Sequence, residues 1–256
     1  MCLVLAAYNT HPGYKLILIA NRDEFHDRPS RTLHNWNENP NIWGGQDLEG
    51  GGTWLGASVS GRIATLTNVR KTGVVPTVLR SRGLLIKDFL ESTSSLDDFN
   101  LALANSAEQY AGYNMLIFDN FNLSCFNNTT RKIDRLANGI YTLSNADVHT
   151  AWPKTERIRR KFASAYKSTN RHFSDNLFEI LQDRQKAPDK DLPNTGVGKK
   201  MEKELSPIFI VGEHYGTRCS SIITITNKNL LSFHEQSYDI HGDITDKRTF
   251  GFALHY

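Results

Sequence analysis

Cys2 is the residue of this chain with the clearest chemical potential. Methionine aminopeptidases remove an initiating methionine when the next residue is small, and cysteine qualifies. The mature chain is then expected to begin with a residue that carries both a thiol and an α-amino group. An α-amino group titrates at about 7.7–8.0 and a free thiol at about 8.5. The amine is thus a built-in base at neutral pH, and the thiolate is a strong nucleophile. A cysteine that opens an apolar strand is more often a core residue, so the position gains weight only from its neighbours. Asn21-Arg22-Asp23-Glu24-Phe25 supplies them. This run follows the apolar segment 14–20, on the expected hairpin partner of the Cys2 strand. From there Asp23 is placed to hold the α-ammonium group and Arg22 to lower the thiol pKa.

The elements that must position these residues can be read from the apolar pattern. Residues 2–8 and 14–20 are strand-forming runs separated by Thr10-His11-Pro12-Gly13, which predicts a hairpin. The polar, asparagine-rich stretch 21–52 reads as a long loop ending in Gly50-Gly51-Gly52. A second hairpin is predicted over 53–59 and 62–68. Helical spacing follows in 82–91 and 95–110, with Ser95 as a candidate cap. Strands are predicted at 113–118, 122–127 and 140–143, and helices at 151–167 and 174–183. An extended loop at 184–206 leads to strands at 207–211, 218–226 and 229–237. Strands joined by tight hairpins make antiparallel sheets, and two helical blocks can cover their outer faces. The expectation is an α+β fold, a single four-layer αββα sandwich spanning residues 1–256.

Composition narrows the function. Lys and Arg number 30 against 27 Asp and Glu, a net charge of +3. That balance argues against a nucleic-acid binder. No apolar run approaches the roughly 20 residues of a membrane span. No secretory signal is recognisable, so a cytoplasmic protein is expected. Cys2, Cys125 and Cys219 form no CxxC pair, and the nine histidines form no HExxH motif, so no metal site is expected. The glycine cluster matches no nucleotide-binding pattern. Gly51 and Gly52 are instead expected to let backbone approach a nucleophile or ligand. Residues 151–203 carry 13 Lys or Arg against 7 Asp or Glu, either an ordinary solvated face or a basic rim beside an anion pocket. Trp43, in the glycine-rich loop, is the tryptophan best placed to line a pocket, with Trp54 a second candidate.

The chain resembles the NRDE family, also called the transport and Golgi organisation protein 2 family. The resemblance rests on Met1-Cys2, Asn21 to Phe25, Trp43-Gly44-Gly45-Gln46-Asp47 and Gly51-Gly52-Thr53-Trp54-Leu55-Gly56. It continues through Thr67-Asn68-Val69-Arg70, Ser81-Arg82-Gly83, Gly112-Tyr113-Asn114, Leu143-Ser144-Asn145 and Tyr215-Gly216-Thr217-Arg218. It implies an N-terminal nucleophile hydrolase fold. More remotely the chain is similar to the choloylglycine hydrolase and penicillin V acylase group, in which an N-terminal cysteine attacks an amide. That similarity implies catalytic roles for Cys2, Arg22 and Asp23. It further implies Asn145 as an oxyanion donor, Asn68 as a second donor, and Arg218 as a late arginine approaching the nucleophile. No cofactor is required for such catalysis. The family's association with haem mobilisation and lipid homeostasis implies an alternative, a haem- or acyl-lipid-binding protein using the same pocket without turnover. The expected partner is therefore a small-molecule amide, an acyl-CoA or haem.

Overall fold

The computed structural model describes residues 2–69, 80–166 and 173–254. Met1, Arg70 of the Thr67–Arg70 motif and Lys167 at the end of the predicted third helix lie outside these residues.

Alternation of apolar side chains builds two sheets. The first contains β1 (Cys2–His11), β2 (Tyr14–Phe25), β10 (Gly139–Leu143), β11 (Tyr215–Thr226), β12 (Leu230–Tyr238) and β13 (Ile244–Ala253), in the order β10-β1-β2-β11-β12-β13. The second runs β3-β4-β5-β6-β7-β8-β9. Its strands are β3 (Ser30–Asn35), β4 (Ile42–Asp47), β5 (Leu55–Ser58), β6 (Ile63–Asn68), β7 (Tyr113–Phe118), β8 (Leu123–Asn127) and β9 (Lys132–Leu136). Every pairing between these strands is antiparallel.

Strand alternation then assigns the layers. Val4, Ala6, Leu16, Leu18, Ile223 and Phe233 from the first sheet pack with Leu55, Ala57, Ile63, Leu116 and Phe118 from the second, forming the core between the sheets. Leu3, Leu5, Ile17, Ile19 and Ile222 point the other way, onto α3 (Pro153–Ala165) and α4 (Phe173–Leu181). Leu66, Met115, Ile117 and Phe126 meet α1 (Gly83–Glu91) and α2 (Leu96–Asn105). Each fully buried side chain of this size stabilises the fold by about 1.5–3 kcal/mol relative to exposure. Ser95 caps α2 as expected, accepting from the Asp98 backbone N–H at 3.1 Å. The result is the expected αββα sandwich.

Several boundaries differ from the sequence reading. The stretch 21–52 is not one loop: β2 continues to Phe25, and β3 and β4 follow. β9 and β13 were not expected. A short helix, α5 (Lys199–Glu204), lies in the expected loop 184–206. Residues 207–211 are not a strand. Ile208, Phe209 and Ile210 are buried, but Ile210 is held chiefly by Thr217, whose hydroxyl accepts the Ile210 N–H at 2.9 Å.

Candidate active site

β1 and β2 are paired so that Cys2 lies opposite Arg22, and Arg22 lies opposite Cys219 on β11. Directly opposite residues of an antiparallel pair share a face. Cys2, Arg22 and Cys219 therefore form one row facing the second sheet. Asp23, one residue on, faces the helical layer. Its Oδ1 accepts from the Thr217 hydroxyl at 2.7 Å. Thr217 and Cys219 are two residues apart yet face opposite sides, because the pairing of β11 with β2 shifts between them. The extra residue of that bulge is Arg218, and such irregularities commonly re-aim side chains near functional sites.

A cleft of about 330 Å³ opens over Cys2 and Arg22. Its far wall is the Gly50–Thr53 turn and the start of α1, Ser81-Arg82-Gly83. Gly52 makes this wall possible. Its φ is +69°, and a Cβ there would lie 2.2 Å from the Gly83 carbonyl carbon. Gly52 thus lets the turn pack on the helix start, while Gly50 and Gly51 bring backbone into the lining of the cleft over Cys2. Gly51 lines the cleft, whereas Gly52 supports it from behind. Trp54 also lines the cleft and stacks on the Arg22 guanidinium at 4.3 Å. Trp43 does not line it. Its ring packs against Phe250 and Phe252 at centroid distances of 4.3 and 6.1 Å, beside the core between the sheets.

The charges around Cys2 come from four arginines, Arg22, Arg28, Arg80 and Arg82, and from Asp23, Glu24 and Asp47. Asp47 joins the two sheets: Arg28 Nε donates to it at 2.8 Å, and Arg22 Nη2 lies 3.5 Å away. Arg82 Nη1 donates to the Gly112 carbonyl at 3.0 Å. Burial pushes the Cys2 thiol above its ordinary value and Asp23 adds to this, while Arg22 and the Asp23 backbone N–H pull the other way. The expected depression by arginine is present but outweighed. Burial also raises the Asp23 carboxyl, opposed by Lys154 and by the Thr217 hydroxyl.

The other expected site residues are distributed as follows. Asn68, at the end of β6, lines the cleft. Asn145, 4% exposed, donates Nδ2 to the Asn68 carbonyl at 2.8 Å. Its turn is fixed by buried Asn114, whose Nδ2 donates to the Ala146 carbonyl at 2.7 Å and to the Thr67 hydroxyl at 3.1 Å. Arg218 is directed elsewhere: Nη1 donates to the carbonyls of Phe25 and His26, both at 2.9 Å, and so holds the turn that carries Arg28. Asn21 is a structural clamp. Its Nδ2 donates to the Leu181 and Ile208 carbonyls, each at 2.8 Å, and its Oδ1 accepts from Ser220 at 2.6 Å.

Among the described residues of 151–203, none supplies a lining cation to the cleft. Many of their cations are paired, as Arg157 and Lys161 are with Asp183, and Lys199 and Lys203 with Asp189. The basic lining comes from the Arg22–Arg28 and Arg80–Arg82 segments instead. Neither Arg82 nor Asp47 is marked for the site by spacing or composition. The only signal was their presence in the Ser81-Arg82-Gly83 and Gln46-Asp47 motifs. Among the described residues no cluster of His, Cys, Asp or Glu could hold a metal ion.

A thiol at the start of a strand, set in a charged cleft of an αββα sandwich, defines the N-terminal nucleophile hydrolase fold class. The solved structures agree on the fold. A Caenorhabditis elegans N-acylethanolamine-hydrolyzing acid amidase ortholog matches with a TM-score of 0.50 at 12% identity, over 87% of this chain and 92% of its own. The C2A mutant of conjugated bile acid hydrolase from Clostridium perfringens also gives 0.50, at 11% identity over 99% and 98%. Residues 1–240 match the family model described as Transport and Golgi organisation 2, and the chain belongs to that family. The human Transport and Golgi organization protein 2 homolog is 31% identical over 278 residues, 99% of each chain. The Drosophila melanogaster protein of that name is 27% identical, over 95% of each.

Proposed function

We propose that this protein is a cysteine hydrolase that cleaves an amide or thioester bond of a small molecule through Cys2. The observation that carries the reading is the placement of Cys2 on the cleft floor, in register with Arg22 and across from Arg82. Cys125 and Cys219, by contrast, are 2% and 4% exposed.

With Met1 removed, the α-amine of Cys2 accepts the thiol proton. Sγ attacks the carbonyl carbon, and the oxyanion that forms is stabilised by Asn68, which lines the cleft; Asn145, expected as a donor, is outside that lining and instead donates to the Asn68 carbonyl, holding the strand end in place. An oxyanion-hole donor typically contributes about 2.7–4 kcal/mol. Collapse breaks the C–N or C–S bond, and the leaving group takes the proton from the α-ammonium group. Water then cleaves the thioester joining the acyl group to Cys2 and releases the acid. Asp23 orients the amino group, and Arg218 holds the turn bearing Arg28. No helix among the described residues is long and apolar enough to cross a membrane. All three cysteines are free thiols, which fits a cytoplasmic site of action.

A second reading, ligand carriage without turnover, is favoured by an apolar groove of about 600 Å³ beside the cleft, with Phe25, Met201 and Val211 in its lining. Haem or an acyl chain would lie there.

The test is labelling of the mature protein with an acyl probe and with iodoacetamide. Cys2 should label first, and Cys2→Ala should abolish labelling while leaving the circular dichroism unchanged. Faster labelling of Cys125 or Cys219 would remove Cys2 as the nucleophile. A saturable Soret shift at micromolar haem, together with an unreactive Cys2, would favour carriage.

A further inference from the structure

The cleft beside Cys2 is rich in hydrogen-bond donors that lack acceptors. Arg22 is 5% exposed, and neither Nη1 nor Nη2 has a hydrogen-bond partner. Its ion pair with Asp47 is long, at 3.5 Å. Asp47 is already engaged, accepting from Arg28 Nε at 2.8 Å and from the Gly50 N–H at 2.8 Å. The indole stacked on Arg22 adds another such donor, because Trp54 Nε1 is buried with no acceptor. A buried donor left unpaired costs its full desolvation, so native structures seldom keep several together without a ligand or water to meet them.

The opposite wall points to the same chemistry by an independent route. α1 is nine residues long, has no side-chain cap and has no acidic residue in its first turn. Its start lines the cleft through Ser81, Arg82 and Gly83. The Leu84 and Leu85 N–H groups already turn back on the Ser81 and Arg82 carbonyls, at 3.3 and 3.1 Å, so this end contributes chiefly through the helix dipole, which places partial positive charge there. Such an end favours carboxylate, phosphate or sulfate. Arg82 adds a guanidinium tethered by one nitrogen to Gly112.

We infer that the cleft is an oxyanion-binding subsite, and that the substrate is an amphiphile bearing a carboxylate or phosphate group beside the bond attacked by Cys2. The inference rests on the hydrolase reading only in equating the bound molecule with the molecule cleaved. The groove supplies the other half of the argument. It meets the cleft at Glu24 and Asn68. Phe25, Met201 and Val211 in its lining are 55%, 50% and 41% exposed. Glu24 at the junction repels an anion from the groove and returns it to the arginines. The apolar part of the ligand then covers the groove.

The experiment separates binding from turnover. The Cys2→Ala protein is titrated calorimetrically at pH 7.5 with N-dodecanoylglycine, dodecyl phosphate and the uncharged N-dodecanoylethanolamine. At least one anionic probe should bind ten or more times more tightly than the uncharged one, and the gap should narrow as salt rises from 50 to 300 mM. The stronger of the two identifies the head group as carboxylate or phosphate. Adding Arg82→Gln should remove most of the preference, whereas Arg160→Gln, on the exposed face of α3, should leave it intact. Arg80→Gln, at the cleft margin, is the second variant should Arg82→Gln lower the melting temperature markedly. Equal affinity for all three probes, or a preference untouched by both cleft variants, overturns the inference. Charge preference without hydrolysis of any probe by the unmutated protein counts against the hydrolase reading alone. Equal cleavage of N-dodecanoylethanolamine and N-dodecanoylglycine counts against the subsite alone.

Discussion

At the scale of single residues, burial and local charge compete, and both outcomes can be measured. Burial raises the Cys2 thiol and Arg22 opposes it without prevailing. The thiolate is therefore a minor species at pH 7, and its share grows with pH. The rate of iodoacetamide labelling at Cys2 should climb steadily from pH 7 to 9; a plateau below pH 8 would show that the arginines dominate. Glu235 offers a second case. It is 2% exposed between the sheets, where it accepts the Leu33 N–H at 2.7 Å and the Ser221 hydroxyl at 3.2 Å. Burial raises its carboxyl to about 7, with those hydrogen bonds acting in the opposite direction. In the unfolded chain it titrates at about 4.3. Below that value the group is protonated in both states and costs nothing. Between the two values only the unfolded chain ionises, so stability falls by about 3–4 kcal/mol and then levels off above the folded value. Glu235→Gln should flatten this decline. Urea midpoints at pH 5 and pH 8 will differ less in the variant than in the unmutated protein if Glu235 is responsible.

At the scale of elements, the cleft wall depends on one glycine contact. Gly52 has a positive φ, and its Cα faces the Gly83 carbonyl so closely that any Cβ would displace α1. Gly52→Ala should cost about 2 kcal/mol or more, from the left-handed backbone and the clash together. It should also shift Arg82 away from Cys2, which a change in labelling rate at constant pH would report. The same elements explain what the sequence could disclose. β1 and β2 are unbroken apolar runs buried on both faces, and β11 and β12 are strand-forming runs joined by a tight turn, so their hairpins and the two-sheet sandwich were legible. β4 was not, because Ile-Trp-Gly-Gly-Gln-Asp carries two glycines that normally weaken a strand. Gly45 is required there because a Cβ would stand 2.3 Å from the Trp54 ring. β9 and β13 lie at sheet edges with mostly exposed side chains, so no apolar pattern marked them. The Cys2–Arg22 pairing followed from one hairpin. Arg82 did not, since it reaches the site from a helix start whose approach is set by the Gly52 contact and not by any local spacing.

At the scale of the whole molecule, the site belongs to neither sheet alone. Cys2 and Arg22 come from the first, Asp47 and Asn68 from the second, and Arg82 from the helix that covers the second. Asp47 is the electrostatic tie between them. Burial alone would raise its carboxyl, but the Arg28 hydrogen bond and the Gly50 N–H outweigh that and hold it below the usual carboxylate range. A depressed carboxylate contributes stability above its unfolded value of about 3.9, and that stability is lost as pH falls through the folded value. Asp47→Asn should therefore lower stability at neutral pH by about 1–3 kcal/mol, as expected for losing a charged hydrogen-bond partner. It should also weaken the dependence on pH below about 4 that Asp47 imposes. The same substitution removes the carboxylate that shares Arg22 with Cys2. With that charge gone, the Arg22 guanidinium acts more strongly on the thiol, and Cys2 should ionise more readily. Labelling at pH 7.5 should rise several-fold while the melting temperature falls. These opposite responses distinguish an electrostatic tie from a packing contact, because loosened packing alone would expose Cys125 and Cys219 along with Cys2. Selective acceleration at Cys2 is the expected result. Uniform acceleration of all three thiols would assign Asp47 to packing.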